Sequence, residues 1–152
     1  MQDFVRILQE YCVNAGIEYH YGRKANLNLL KANLDNDKIY CLHEPSPRKA
    51  EMNSNSTRVA SYVYNGMFFL VKQSTMDMPY FSEMNNNESN SKYVKNIAPL
   101  LGAYEAMANK FGCQGFDIMQ FDCIDVVNVL DTNKDGLLIT YSIRVRADFL
   151  FS

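Results

Sequence analysis

The most regular alternation of apolar and polar residues in this chain runs from position 137 to position 147. The odd-numbered positions are apolar there, whereas the even-numbered positions include Thr140, Arg144 and Arg146. A period of two is typical of a strand that buries one face and turns the other toward solvent or a partner. We therefore predict a long strand, with Thr140, Arg144 and Arg146 on its polar face.

A second strand is predicted just before it, over residues 116–130, which are rich in β-branched and aromatic side chains. The alternation breaks near Gln120–Cys123, which predicts either a bulge or burial of both faces of the strand. Residues 131–136 supply the turn of a hairpin, in which Gly136 is expected to adopt a positive φ.

The same turn resembles the start of a calcium-binding EF-hand loop. Asp131, Asn133 and Asp135 would place oxygen ligands at the first, third and fifth positions of such a loop. The match ends there, because the twelfth position is Ser142 instead of a glutamate and the flanking residues have a strand pattern. The sequence therefore favours the hairpin and leaves a small calcium-binding β module as an alternative.

Helical spacing of apolar residues occurs in three other stretches. It predicts an amphipathic helix over residues 2–14 that ends at Gly16, a brief helix over 25–34, and the longest helix over 92–111.

Short strands are predicted over residues 17–21 and 38–43, and Pro45 ends the second of them. Residues 59–72 form the most apolar stretch of the chain, and Asn65-Gly66 within it predicts a hairpin of two strands. One long strand with a glycine kink is the alternative.

Strands that are grouped beside helices, instead of alternating with them, favour an α+β fold. We expect a mostly antiparallel β-sheet with two main helices packed on one face. The length of 152 residues predicts a single domain, residues 1–152, with flexible loops near 46–57 and 74–91.

Composition and charge narrow the classes of function. The net charge of −2 provides no bulk attraction to nucleic acid or acidic lipid, and no apolar run is long enough to predict a transmembrane helix. The first residues, which include Asp3, do not resemble a signal peptide, so we expect a protein that is made in a cytoplasm.

Reactive residues form no recognisable catalytic pattern. The four cysteines have irregular spacing and apolar neighbours, which predicts reduced core thiols, and no metal, cofactor or nucleophile motif occurs. Asp117, Asp122 and Asp125 form the one carboxylate cluster, but Asp122 has the opposite strand parity unless a bulge intervenes. The sequence therefore predicts no enzyme, no cofactor and no metal site.

Two stretches have the composition of a protein contact surface. Residues 76–84 combine methionines and aromatic residues without a regular period, which suits an adaptable interface. A loop that folds back on the chain's own core is the alternative. The small residues of the 92–111 helix would allow close approach to a sheet or to a neighbouring subunit. We predict a subunit interface at Met76, Met78, Tyr80, Phe81, Met84 and Ala103.

The order of the predicted elements matches a known pattern. The matching parts are the helix Phe4–Cys12, the strand and proline Ile39–Pro45, the loop 46–57, the strand pair Val59–Lys72, the helix Tyr93–Phe111 and the strand pair around Asp131–Gly136. In this order and in its length the chain resembles the tail-terminator (tail-completion) proteins of long-tailed bacteriophages. The final strand pair and the helix at 25–34 depart from the simplest family pattern, which leaves open a related neck or connector protein, or a terminator of a contractile injection system.

The resemblance implies a structural virion protein of the tail or neck, assembled in the bacterial host cytoplasm. Such a subunit forms a ring, usually a hexamer, that joins the tail tube to the head–neck connector. The implied partners are copies of itself, tail-tube and neck proteins, and DNA in the lumen through non-specific contact, with no membrane. Arg48, Lys49, Arg144 and Arg146 are the candidates for contact with tube, neck or DNA. The alternative is a non-catalytic bacterial interaction domain that uses the same sheet and loop.

Overall fold

The computed structural model describes residues 3–23, 38–73, 93–129 and 134–150. Its helices are α1 (Phe4–Asn14), α2 (Ala98–Cys113) and the short α3 (Ala147–Leu150), with a π-helical turn, Tyr93–Ile97, leading into α2. Its strands are β1 (Glu18–Tyr21), β2 (Ile39–His43), β3 (Arg48–Met52), β4 (Val59–Gln73), β5 (Asp117–Val129) and β6 (Lys134–Arg146). The helix predicted at 25–34, the segment 74–91 and residues 131–133 of the turn lie outside the described residues.

The described strands form one sheet in the order β1-β2-β4-β6-β5, with β3 also paired to β4. Only the β1–β2 pair is parallel, and the other neighbouring strands are antiparallel. β2 and β3 lie one after the other along the same edge of the long strand β4. Pro45 and Pro47 separate them, because proline cannot donate a backbone hydrogen bond.

Local sequence signals define both ends of α1. Asp3 caps its start, where the carboxylate accepts a hydrogen bond from the Val5 backbone N–H at 3.1 Å. Gly16, with φ of 74°, follows its end, and the Ile17 N–H donates to the Cys12 carbonyl at 2.8 Å. This is a Schellman motif, so the predicted end of the helix at Gly16 is confirmed.

Both main helices pack on one face of the sheet, which we call the inner face; the opposite face is the outer face. Phe4 of α1 lies at the centre of this packing, with its ring centroid 4.7 Å from that of Tyr141 and 5.2 Å from that of Phe111. The odd-numbered positions of β6 from 137 to 145 are buried beneath the helices, as their alternation predicts. The predicted fold class, a mostly antiparallel α+β sheet with two main helices on one face, is confirmed.

The hairpin predicted at Asn65-Gly66 is wrong, because β4 continues through both residues and pairs with β6 along its whole length. The alternative of one long strand is the observed one. Gly66 serves close packing here: a Cβ atom at this position would lie 2.6 Å from the Cβ of Ser46 and 2.7 Å from the Tyr141 hydroxyl. The glycine that predicted a turn is thus explained by the close approach of Ser46 and the Tyr141 side chain to β4.

The loop predicted at 46–57 is also wrong in part, because Arg48–Met52 forms β3. Its side chains are mostly exposed, which explains why no apolar alternation reveals it. The short connection after β3 is fixed by Asn53, whose side chain accepts from the Thr57 backbone N–H at 2.9 Å.

β5 and β6 form the predicted antiparallel pair, and β5 is irregular at two places. Its register shifts between Ile118 and Gln120, just before the predicted bulge, and again after Val126. Gly136 lies inside β6 opposite Val71 and does not have the positive φ predicted for it. It is needed for space instead, since a Cβ atom there would lie 1.9 Å from the Leu70 carbonyl oxygen.

The regular α-helical part of the long helix begins later than predicted. Tyr93–Ile97 is a π-helical turn, Pro99 lies in the first turn of α2, where its missing N–H costs nothing, and the helix ends at Cys113. The adjacent Asn96 is buried and donates to the Asp135 carboxylate at 3.0 Å. Asp135, one of the residues of the suggested calcium loop, therefore takes part in the packing between this helix and β6.

Candidate assembly surface

The outer face of the sheet has two different halves. At one end it carries a small buried cluster formed by Tyr40, Leu42, Phe69 and Val71, with partly buried Val126 and Leu138. At the other end and along β5, outer-face side chains from β3, β4 and β5 are exposed; we call them the open face, and they are Lys49, Asn65, Met67, Asp117, Gln120, Asp122 and Ile124.

Arg144 holds the strands beneath the open face together. Its guanidinium group donates to Glu51 of β3 at 2.7 Å and to Asp117 of β5 at 2.9 Å. Ser61 of β4 adds a hydrogen bond to Glu51 at 2.9 Å. The hydrogen bonds from Arg144 and Ser61 lower the pKa of Glu51, and the carboxylate partners raise the pKa of Arg144. From β6, this one side chain thus makes charge-assisted hydrogen bonds to the neighbouring strand β5 and, across β4, to β3.

The bulge in β5 changes the predicted grouping of its carboxylates. Asp117 pairs in register with Arg144 and Asp122 with Thr140, so both lie on the outer face, whereas Asp125 pairs with Leu137 on the inner face. Gln120 separates the two outer carboxylates and donates to Asp122 at 2.8 Å. Asp117 and Asp122 therefore form no tight acid pair of the kind that general acid–base catalysis uses.

The four basic residues predicted for tube, neck or DNA contact do not form one patch. Lys49 and Arg144 lie on the outer face, but Arg48 lies on the inner face, where it donates to Asp3 at 2.9 Å and stacks over the Tyr64 ring. Arg146 donates to Asp148 at 3.1 Å and lines a cleft of about 480 Å3 beside α3. Three of the four charges are therefore compensated by carboxylates of the same chain.

Of the predicted subunit contacts, only Ala103 lies among the described residues. It is partly buried and packs against the chain's own core. The small residues of α2 that are exposed are its neighbours Gly102 and Ala106. Met76, Met78, Tyr80, Phe81 and Met84 lie outside the described residues.

A buried polar network at the end of β2 was not predicted from the sequence. His43 has no exposed surface; its Nδ1 lies 2.7 Å from the Tyr19 hydroxyl and its Nε2 lies 2.7 Å from the Tyr141 hydroxyl. Ser46 extends the network to Tyr141 at 3.1 Å. The one signal for it was the position of His43 in an apolar strand just before Glu44-Pro45.

The ionisation states of this network suit a structural role. Burial lowers the pKa of His43 to about 4, and burial raises the pKa of Tyr141 to about 12, so both are neutral near pH 7. A neutral imidazole has one donor and one acceptor nitrogen, and each is matched by a tyrosine hydroxyl. The network therefore satisfies a polar group in the core and joins β1, β2 and β6.

The cysteines only partly follow the prediction of core thiols. Cys12 and Cys41 are buried, and burial raises the pKa of Cys41, but Cys113 is exposed on α2 and Cys123 is half-buried. All four are free thiols. Among the described residues, no group of three or more histidines, cysteines and carboxylates is placed to hold a metal ion.

A groove of about 360 Å3 lies where α1 meets the end of α2 and is lined by Ile7, Glu10, Tyr11, Asn14, Ala15, Lys110 and Gln114. Its two charged residues have opposite signs, and they do not single out a class of ligand. In the part of the chain that the structure describes, no helix is both long and apolar enough to cross a membrane.

No protein-family model matches this chain, and no curated protein sequence matches it. The resemblance to tail terminators therefore stays a prediction from element order, and the open face is the surface on which a functional proposal can be built.

Proposed function

We propose that this protein is a structural subunit of a bacteriophage neck or tail, similar to a tail terminator, that assembles with copies of itself into a ring. The ring joins the tail tube to the head–neck connector. Its function would depend on the geometry of assembly, because identical subunits that meet through two different surfaces close into a ring when the rotation between them is correct.

The observation that carries this proposal is the open face. The inner face of the sheet is covered by α1 and α2, whereas on the outer face Ile124 is 64% exposed and Met67 is 38% exposed. These two apolar side chains share the open face with uncharged Asn65 and Gln120 and with charged Lys49 and Asp122, and an antiparallel sheet can offer such a face to a partner.

The fold supports the same reading. The resemblance implies a small α+β protein, and the described elements form an α+β fold. The compensated charges of Arg48, Arg144 and Arg146 favour protein contacts over a purely electrostatic grip on DNA, because phosphate binding depends on uncompensated basic side chains.

The proposal is tested on the intact chain by multi-angle light scattering over a concentration series, together with negative-stain electron microscopy. We expect the mass to rise with concentration toward one closed oligomer and the images to show rings of uniform diameter. A mass that stays at 17.5 kDa at every concentration, with no rings, would contradict the proposal.

A further inference from the structure

The two buried cysteines of this chain lie against each other. Cys12 is in the last turn of α1 and Cys41 is in the middle of β2, and neither has any exposed surface. Their thiols are hydrogen-bonded to each other. Although the two residues are far apart in the sequence, the fold therefore brings their sulfur atoms into contact.

This contact follows from the way in which α1 connects to the sheet. The chain reverses at Gly16, where the Ile17 N–H donates to the Cys12 carbonyl at 2.8 Å. β1 then runs parallel to β2, with Tyr19 opposite Cys41. Cys12 and Cys41 belong to the same buried cluster on the inner face. Backbone hydrogen bonds thus hold both elements where the two side chains meet.

The surroundings disfavour the thiolate form of Cys41. Burial raises the pKa of Cys41, and the hydrogen bond and the charge of Cys12 raise it further. Burial also raises the pKa of the adjacent Tyr19 hydroxyl, and Cys41 and Cys12 add to that increase. Because the thiolate is the reactive form of cysteine, the pair reacts slowly, when the end of α1 separates briefly from the sheet.

We propose that Cys12 and Cys41 are a site of reversible disulfide formation that clamps the end of α1 to β2. The oxidant is a small disulfide such as glutathione disulfide. One protein thiolate attacks it, forms a mixed disulfide and releases one glutathione; the other protein sulfur then attacks the mixed disulfide and releases the second glutathione. The protein thiols lose two electrons and two protons, and both end on the two molecules of reduced glutathione.

The other two cysteines have different surroundings. Cys113 is exposed at the end of α2, and Cys123 is half-buried on β5, where its side chain is hydrogen-bonded to Tyr104. They are replaced by serine in the test below, so that their reactions do not obscure those of the buried pair.

The inferred site goes beyond the proposed function, and bond formation does not depend on that function. A reducing cytoplasm keeps thiols reduced while a protein is made, whereas the surroundings of a lysed cell are oxidising. Under the proposed function, the bond would form after release of the finished particle and would stiffen each subunit. Failure to form the bond would leave the proposed ring untouched.

The test uses the full chain with Cys113→Ser and Cys123→Ser, in which only the proposed pair remains. The folded protein is equilibrated in buffers with graded ratios of oxidised to reduced glutathione, quenched with acid, alkylated and analysed by mass spectrometry. We expect a monomer that has lost two hydrogen atoms and takes up no alkylating reagent. The equilibrium constant for oxidation should be about 100-fold larger than in the same chain unfolded in urea, because a bond that stabilises the fold is favoured by the fold to the same extent.

Oxidation should also raise the midpoint of thermal unfolding by about 10 °C, and dithiothreitol should reverse this rise. The matched control carries Cys41→Ala in the same background, retains Cys12, and should show no such rise after the same treatment. Free thiols in the folded protein at every buffer ratio, or mixed disulfides with glutathione in place of the internal bond, would overturn the inference. Equal equilibrium constants for the folded and unfolded chain would also overturn it, because the bond would then not clamp the fold.

Discussion

At the scale of single residues, His43 joins three strands from inside the core. Its ring contacts Phe4, Tyr21 and Phe68 as well as its two tyrosine partners. Burial has the largest effect on its pKa and lowers it, whereas the charge of Asp3, the N-cap of α1, raises the pKa and that of Arg48 of β3 lowers it. The neutral imidazole is therefore the form that fits the folded protein.

His43 makes stability depend on pH. Its pKa falls from 6.5 to about 4 on folding, so between these pH values the unfolded chain binds a proton that the folded chain does not bind. The resulting loss in the free energy of unfolding is absent above about pH 6.5, grows as the pH falls, and is complete below about pH 4, where it reaches about 3 kcal/mol. Chemical denaturation from pH 7 to pH 4 should show this loss in the native chain.

The variant His43→Gln isolates the effect, because glutamine keeps a polar side chain and does not titrate. Its stability should be lower at pH 7 and should change less between pH 7 and pH 4. The control Asn14→Gln changes an exposed side chain of α1 that does not titrate, and it should keep the native slope. Equal slopes for His43→Gln and the native protein would contradict the role given to His43.

Two glycines should respond to alanine in opposite directions. Gly136→Ala places a Cβ atom against the backbone of β4, and we expect a loss of about 3 kcal/mol or more in the free energy of unfolding. Gly102 lies on an exposed turn of α2 with open space around it, so Gly102→Ala should stabilise by about 0.5–1 kcal/mol. Thermal unfolding of both variants checks this, and similar effects would refute the packing explanation.

At the scale of elements, α1 is held to the sheet through its N-cap residue, Asp3. Asp3 caps the helix and also accepts from Arg48 of β3, so one carboxylate connects the helix start to the strand. Asp3→Ala should lower stability by about 1–2 kcal/mol through the lost cap and the lost partner of Arg48. Glu10→Ala, the control in the same helix, loses only an exposed pair with Arg6 and should cost about 0.5 kcal/mol or less. Equal losses in urea unfolding would argue against the cap.

The sequence predicted those elements whose burial follows a simple period. The buried stripe of α1 and the odd-numbered positions of β6 are examples, and so is the end of α1 at Gly16. The predictions were wrong where a residue type serves a distant contact. Gly66 is small because Ser46 and Tyr141 approach it, and Gly136 because β4 does. No local pattern contains that information, since the partners lie 20 or more residues away in the sequence.

The candidate site was less predictable than the fold for the same reason. Thr140, Arg144 and Arg146 follow from the alternation of β6, but the partners of Arg144 come from β3 and β5. β3 has no apolar alternation, and the bulge in β5 reverses the parity of Asp117 relative to Asp122. Which charges lie together on the outer face therefore depends on strand pairing, which a single sequence does not display.

At the scale of the whole molecule, its two sides differ in how their apolar residues are used. The helical side is the covered side of the sheet, and among the described residues its most exposed large apolar side chain is Val13 of α1, at 66%. The outer side exposes Ile124 to almost the same extent, at 64%. If the open face is the assembly surface, these two similar residues should differ in their effect on association and agree in their effect on folding.

Ile124→Lys should weaken self-association about ten-fold or more, because a side chain that is buried in the assembly contributes about 1.5–3 kcal/mol. Val13→Lys should leave association unchanged, since it adds the same charge at an equally exposed position on the helical side. Both variants should unfold within about 0.5 kcal/mol of the native chain, as exposed substitutions usually do. Sedimentation velocity over a concentration series measures the association. If both variants weakened association equally, the added charge would be the cause, and the open face would not be the assembly surface.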